Sequence, residues 1–403
     1  MTPLKIAIVV HGRFHGFDLA RELLARGHHV TVFTNYPSWT VARFGVPPAH
    51  ARSFPIHGVL ARALGRLPGR GPIRNPEAWL HRMFGRWAER ELRGERWDVI
   101  HCWSGVSQEL LESTRVASAC TMLMRGSAHI AVQSRLLQEE EARAGVALDR
   151  PSDWMREREL REYGLVDRIL VLSTFSRQSF EDEGTPPERI STVPLGVHVE
   201  AFRPPAGIVE QRKRRILAGA PLRVLFVGAV SYRKGFLDIA SAIDTLHGRG
   251  FEFELVGPIL PECAPRVEQL RGKATFAGKR PQPELPASYH AADLFLFPTI
   301  EDGFPAVMAQ AKAAALPILT TPHGAGLDIV TPGQDGWIVP VRDPAAIVDR
   351  LVWCVANRPA VAAIVQRVYD TFRPRDWAEV AADFEAVCVA ATTSAADREP
   401  AHV

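Results

Sequence analysis

Short runs of β-branched and other apolar residues alternate along this chain with longer stretches whose apolar positions recur every three or four residues. The runs read as strands buried on both faces, and the spaced positions as helices that cover them. In the first half the strands fall at Lys5–Val10, Val30–Phe33, Trp97–His101, Thr121–Met124 and Asp167–Ser173. In the second half they fall at Val224–Val227, Phe251–Val256, Ala274–Gly278, Leu294–Phe297 and Pro317–Thr321. Phe17, Ala20 and Leu24 lie at helical spacing between the first two strands, and Gly27 stops that helix. Strand, helix and strand in succession predict βαβ units and parallel sheets, an α/β fold. A helical run begins near Ala306 and stops before Pro317, and from Pro344 the pattern is helical to about Ala390. Asp376-Trp377 opens a last amphipathic helix.

A chain of 403 residues suggests two domains. Pro204, Pro205 and Gly207, then the basic run Gln211–Arg215, mark an exposed linker. The expected division is a first domain over residues 1–198, a second over 199–375, and a tail over 376–403 whose helix crosses back to the first. The net charge of +3 is too small to argue for nucleic acid. The five cysteines are scattered, with no Cys-x-x-Cys, which fits a reducing compartment. A strand begins within four residues of Met1, so no signal peptide is expected. No run approaches the ~20 apolar residues that span a bilayer. The expected location is cytoplasmic, with any membrane contact peripheral.

Sites in α/β proteins gather where strands end. The first such loop, His11–Gly16, has the spacing Gly-x-x-x-Gly, and Asn35 follows the second strand where a nicotinamide-binding fold would place an acid. Both points argue against a dinucleotide cofactor. Arg125-Gly126-Ser127-Ala128-His129 follows the Thr121–Met124 strand. The strand Val224–Val227 opens onto Gly228–Gly235, which contains Arg233 and Lys234 in a chain with only six lysines. Leu294–Phe297 ends at Pro298, and Glu301-Asp302-Gly303-Phe304-Pro305 leads into a helix whose free N–H groups suit an anion.

This last segment resembles the signature of glycosyltransferase family 4, retaining enzymes of the GT-B fold, in which two Rossmann-like domains face each other across a cleft. Asp302, Gly303, Phe304 and Pro305 fill the first part, and Ala311 and Leu316-Pro317 the last. Gln310 stands where the family usually has its second Glu, so the acidic pair Glu…Glu becomes Asp…Gln. Gly228 to Gly235 resembles the family's phosphate clamp, Gly-x-x-x-x-Arg-Lys-Gly. The resemblance implies a nucleoside-diphosphate sugar as donor and no cofactor. It implies Arg233 and Lys234 on the diphosphate and Gln310 on the ribose. The sugar falls to Asp302 and the loop Gly303 and Phe304, with the backbone of Ala306 and Val307. Gly12 and Gly16 either meet the donor phosphate through their N–H groups or only permit a tight turn. A polar residue near the reacting sugar carries over to His129, with Arg125 as the alternative; the other reading is that His129 caps the next helix. No Asp-x-Asp stands at a strand end, so metal-independence is expected. The acceptor falls to the first domain, and the sequence names neither it nor the base. A GT-B epimerase or phosphorylase, or a non-catalytic nucleotide-sugar-binding subunit, are the competing readings.

From Arg52 to Arg96 ten arginines face four acids, interleaved with Leu60, Leu64, Leu67, Trp79, Leu80, Met83, Phe84 and Trp87. Basic amphipathic helices of this kind either lie on anionic membrane or form a solvated face over the sheet.

Overall fold

The structure, a computed structural model, describes residues 2–64, 75–113 and 119–396. Leu67 of the basic stretch therefore lies outside the described residues. Among the described residues, thirteen strands form two parallel sheets. The first contains β1 (Lys5–Val10), β2 (His29–Thr34), β3 (Ala51–Ser53), β4 (Val99–Trp103), β5 (Cys120–Met124), β6 (Arg168–Val171) and β7 (Ile190–Thr192), in the order β3-β2-β1-β4-β5-β6-β7. The second contains β8 (Leu222–Val227), β9 (Phe251–Val256), β10 (Thr275–Gly278), β11 (Leu294–Phe297), β12 (Ile318–Thr320) and β13 (Gly336–Ile338), in the order β10-β9-β8-β11-β12-β13.

The central strands are apolar on both faces because helices cover both faces. Ile6 to Val10 and Leu294 to Phe297 are buried throughout. In register, Ile8 faces Val32 on one side and His101 on the other, and Phe295 faces Ile318 and Leu225. Each sheet reverses its strand order at one place, between β1 and β4 in the first and between β8 and β11 in the second. Such switch points open a crevice beyond the strand ends, where ligands of α/β proteins bind.

The last helix, Trp377–Ala396, packs on the first lobe, where Trp377, Val380, Ala381, Phe384 and Cys388 join its core. Glu385 fixes it there by accepting from Arg26 Nε at 2.9 Å and lying 3.0 Å from His28 Nε2. The chain crosses between lobes twice, side by side, and the Val197 N–H donates to the Arg375 carbonyl at 3.0 Å. Gly196 lies so close to Asp376 that a Cβ would meet its backbone at 2.9 Å. Among the described residues no helix is long and apolar enough to cross a membrane.

Candidate active site

The two loops at the switch point of the second sheet are bonded into one unit. After β8 the chain turns through a short 3-10 helix, Tyr232–Lys234, and leaves it at Gly235 with φ +79°. A Cβ at Gly235 would overlap the carbonyl oxygen of Pro298, so the clamp turn can lie against the loop after β11 only with glycine there. The Ile300 N–H donates to the Arg233 carbonyl at 3.0 Å, and Arg233 Nε donates to the Glu301 carbonyl at 3.3 Å.

The side chains continue this pairing. Arg233 forms an ion pair with Glu301 at 2.6 Å, and Lys234 with Asp302. Burial alone would raise the Glu301 carboxyl. Arg233, the Gln133 amide, Lys234 and the Ala128 N–H outweigh it and hold the carboxyl below the usual range. Gly324, in the loop after β12 and at φ +77°, lies under Asp302 and Pro305, where a Cβ would sit 3.3 and 3.4 Å from their side chains.

The signature helix, Ala306–Ala313, begins after Pro305 with no side chain capping it, and Ala306 is exposed. Its first N–H groups and its dipole therefore face outward at the loop end, ready for an anion. Phe304 is partly buried against the first lobe's core. Gln310 sits on the next turn, where its Oε1 accepts the hydroxyl of the buried Tyr289 at 3.0 Å. Its amide N–H pair remains for another partner.

The lobes meet at this unit. A Cβ at Gly303 would overlap the carbonyl oxygen of Gly126, so the signature turn touches the loop after β5. Phe175 and His323 stack across the same seam with ring centres 4.3 Å apart. Arg342 donates to Glu139 at 2.7 Å and Glu140 at 2.9 Å, and Thr174 Oγ1 donates to Asp328 at 2.6 Å.

The first lobe places three further sets of sequence candidates. His129 is 5% exposed, its ring packs between Tyr163 and Phe180, and its Nδ1 accepts from the Ala131 N–H at 3.3 Å. The ring thus caps the helix Ile130–Ala144, and burial pushes it down to about 4. Arg125, the alternative, is held by Gln133 at 2.7 Å and Glu159 at 3.2 Å. The N–H groups of Gly12 and Gly16 are engaged within the chain, with Asn35 Oδ1 at 2.9 Å and the Arg13 carbonyl at 3.2 Å. Gly12 takes φ +103°, and a Cβ at Gly16 would crowd Trp103 at 3.2 Å. Sequence reasoning passed over Glu301, which was visible only as a second acid beside Asp302, and Ser127 and Gln133, which contact this unit from the other lobe.

Two facing Rossmann-like lobes, with Arg233, Lys234 and the signature helix gathered at one switch point, have the layout of the GT-B fold. A sequence profile described as Glycosyltransferase Family 4 matches residues 14–201, and one described as Glycosyl transferases group 1 matches residues 221–357. The chain belongs to the group 1 glycosyltransferases of family 4. It is 28% identical over 198 residues to the putative colanic acid biosynthesis glycosyltransferase WcaL of Salmonella typhimurium, covering 46% of this chain and 47% of that one. It is 29% identical over 250 residues to the D-inositol 3-phosphate glycosyltransferase of Corynebacterium glutamicum, covering 57% and 59%. These matches span about half to three-fifths of the relatives' length. With the GDP-mannose-dependent alpha-mannosyltransferase of Mycobacterium tuberculosis it shares 27% over 316 residues, 76% of this chain and 78% of that one. Among solved structures, the sucrose-phosphate synthase of Thermosynechococcus elongatus superposes with a TM-score of 0.68 at 19% identity, covering 97% of this chain and 100% of that one. Anabaena HepE in complex with UDP and glucose gives 0.65 at 14% identity, covering 96% and 99%.

Proposed function

We propose that this chain transfers a sugar from a nucleoside-diphosphate sugar to an acceptor, retaining anomeric configuration and needing no metal ion. The observation that supports this best is the union of the Arg233–Lys234 turn with the Asp302 loop beside the open start of the signature helix. A donor diphosphate carries about two negative charges, and cleavage of the sugar–phosphate bond adds charge on the leaving oxygen. Cations fixed at that point stabilise the transition state more than the ground state. Lys234 and Arg233 take the diphosphate, the Gln310 amide the ribose, and Asp302 with the backbone of Phe304, Ala306 and Val307 the sugar. The bond breaks through an oxocarbenium-like state with no protein nucleophile, and the first lobe binds the acceptor.

The test is a panel of nucleotide sugars, GDP-mannose and UDP-glucose among them, scored by thermal shift and donor hydrolysis with and without chelator. Stabilisation by one donor, with hydrolysis that survives chelation, is expected; hydrolysis restored only by added Mg²⁺ or Mn²⁺ overturns the metal-free clamp. The product's anomeric configuration, read by NMR, tests retention. A second reading is a nucleotide-binding subunit without turnover. It draws on Gln310, whose carbonyl is already tied to Tyr289; donor binding without hydrolysis under any acceptor would favour it.

The first lobe also offers a surface for peripheral contact with anionic lipid. Along the helix Pro76–Leu92, Trp79, Met83 and Trp87 run beside Arg82, Arg86 and Arg90, and with Phe54 they line a groove of about 590 Å³. Ile56 and Val59 stand exposed on the neighbouring helix, Pro55–Leu64.

A further inference from the structure

We infer that Glu301 is a positioning residue that ties the phosphate clamp to the first lobe, so that Arg233 is fully fixed for the donor only while the lobes are docked. This rests on the donor reading above and adds a part the signature does not include. Glu301 is 0% exposed, although it stands one residue from Asp302 in the loop after β11. A buried carboxylate is unfavourable unless hydrogen-bonded donors surround it. Its donors come from both lobes. The Ala128 N–H reaches Oε1 at 3.1 Å, the Gln133 amide reaches Oε2 at 2.9 Å, and the Arg233 guanidinium lies at 2.6 Å. Ala128 and Gln133 flank the start of the helix Ile130–Ala144, whose N-terminal end favours an anion.

Arg233 is fixed by the same arrangement. Its Nη2 donates to Ser127 Oγ at 3.2 Å and faces Glu301, and its Nε donates to the Glu301 carbonyl at 3.3 Å. Nη1 makes none of these bonds and is the donor left for a phosphate, on a side chain still 37% exposed. Gln133 is itself held by Arg125 at 2.7 Å. If the lobes separate, the Glu301 carboxylate loses two of its three donors, Ala128 N–H and the Gln133 amide, and Arg233 loses Ser127. Arg233 keeps its contacts to Glu301, but that carboxylate has lost its own support, so the guanidinium is held less tightly and its contact with a phosphate costs more order. Docking and clamp geometry are therefore linked through one carboxylate.

The experiment is a mutant cycle on the full chain, with UDP and GDP as calorimetric probes. Gln133→Ala, in the lobe that does not carry the clamp, should weaken the bound nucleotide about three- to tenfold, and should add nothing in an Arg233→Ala background. Glu301→Gln should weaken it as well, with Glu301→Asp recovering part of the loss. Equal losses for Gln133→Ala in both backgrounds, or none in the wild type, overturn the inference. Tighter binding by Glu301→Gln also overturns it, since Glu301 would then compete with the phosphate for Arg233. Hydrogen exchange without nucleotide separates this idea from the donor reading. Faster exchange over residues 125–133 in Glu301→Ala is expected even if neither probe binds, and unchanged exchange there removes the tie between the lobes.

Discussion

Tyr289 donates its hydroxyl to Gln310 Oε1 at 3.0 Å, joining the helix Leu285–Ala291 to the signature helix. Tyr289 is fully buried and stacks on Phe295, so its hydroxyl has no water to turn to. Gln310→Ala should therefore cost about 1–3 kcal/mol of stability through the orphaned hydroxyl, together with nucleotide affinity. Tyr289→Phe removes donor and need at once and should cost less than about 1.5 kcal/mol. Gln310→Glu can still accept the hydroxyl but loses its amide donors and adds charge near a diphosphate, so donor affinity should change by less than about tenfold. Urea unfolding and calorimetry with UDP or GDP read both quantities. Unchanged nucleotide binding by Gln310→Ala would remove Gln310 from the ribose site.

Lys234→Ala deletes a charge-assisted contact to the diphosphate, worth ~1.5–3 kcal/mol, or roughly a 10- to 150-fold loss in kcat/KM. The loss should fall on kcat, because charge on the leaving group grows in the transition state. It also leaves Asp302 without its partner. A raised KM with kcat intact would mean that Lys234 binds the ground state alone.

How far these residues could be read from the chain depends on sequence distance. Long strands with apolar runs on both faces, such as β1 and β11, were legible because burial on both faces needs no partner to be recognised. β3, β7 and β13 were not, since each has three residues and lies at or near a sheet edge, too short to show a pattern. β4 runs Val99–Trp103 rather than from Trp97, because Trp97 packs as a ring against Phe33 outside the ladder. Arg233, Lys234 and Asp302 stood out because clamp and signature are each contiguous. Glu301 did not, because its partners Ala128 and Gln133 are 173 and 168 positions away.

Gly235→Ala tests the turn that brings the clamp to the signature loop. The φ of +79° is unfavourable for alanine, and its Cβ would overlap the Pro298 carbonyl oxygen. Backbone strain of this sort costs on the order of 1–3 kcal/mol, and the overlap adds to it. The expected outcome is a lower urea midpoint and weaker UDP or GDP binding. Gly219, at φ +82° with nothing within 4 Å of a Cβ, serves as the control. Gly219→Ala should cost stability through φ alone and leave nucleotide affinity unchanged. Equal effects of the two on affinity would detach the turn from the site.

If the groove beside Trp79 and Arg86 meets lipid, the chain should bind vesicles that contain anionic lipid and ignore neutral ones. Binding should fall as salt is raised, because exposed charges are screened within a Debye length of ~10 Å at 0.1 M. Replacing Arg82, Arg86 and Arg90 together by Gln should abolish it. No sedimentation with anionic vesicles at low salt would leave this face solvated.

Acid should destabilise the first lobe through its buried histidines. Burial pushes His11 and His101 down to about 3 and His15 and His129 down to about 4, against an ordinary value of 6.5. His101 lies between Trp103 and Phe384, and His15 beside Trp103 and Trp377, so the charged rings would sit among aromatic side chains. In the unfolded chain each ring takes a proton below its ordinary value; in the fold it stays neutral. The stability these rings provide is complete above that value and is lost as pH falls toward the folded values. Each contributes a slope of about 1.4 kcal/mol per pH unit in that window. Glu162, raised to about 8 by burial, works in the opposite direction with one proton. Glu301 and Glu385 are held below the usual range and add nothing until the pH is lower still. With His57 and His81 also lowered by burial, the histidines outnumber the raised Glu162 and Glu140, so stability and the urea midpoint should fall between pH 6.5 and 5. His101→Leu should reduce the slope of stability against pH by about one proton and leave the pH 7 fold intact. A midpoint that does not move between pH 7 and 5 would mean that these rings are not held neutral by the fold.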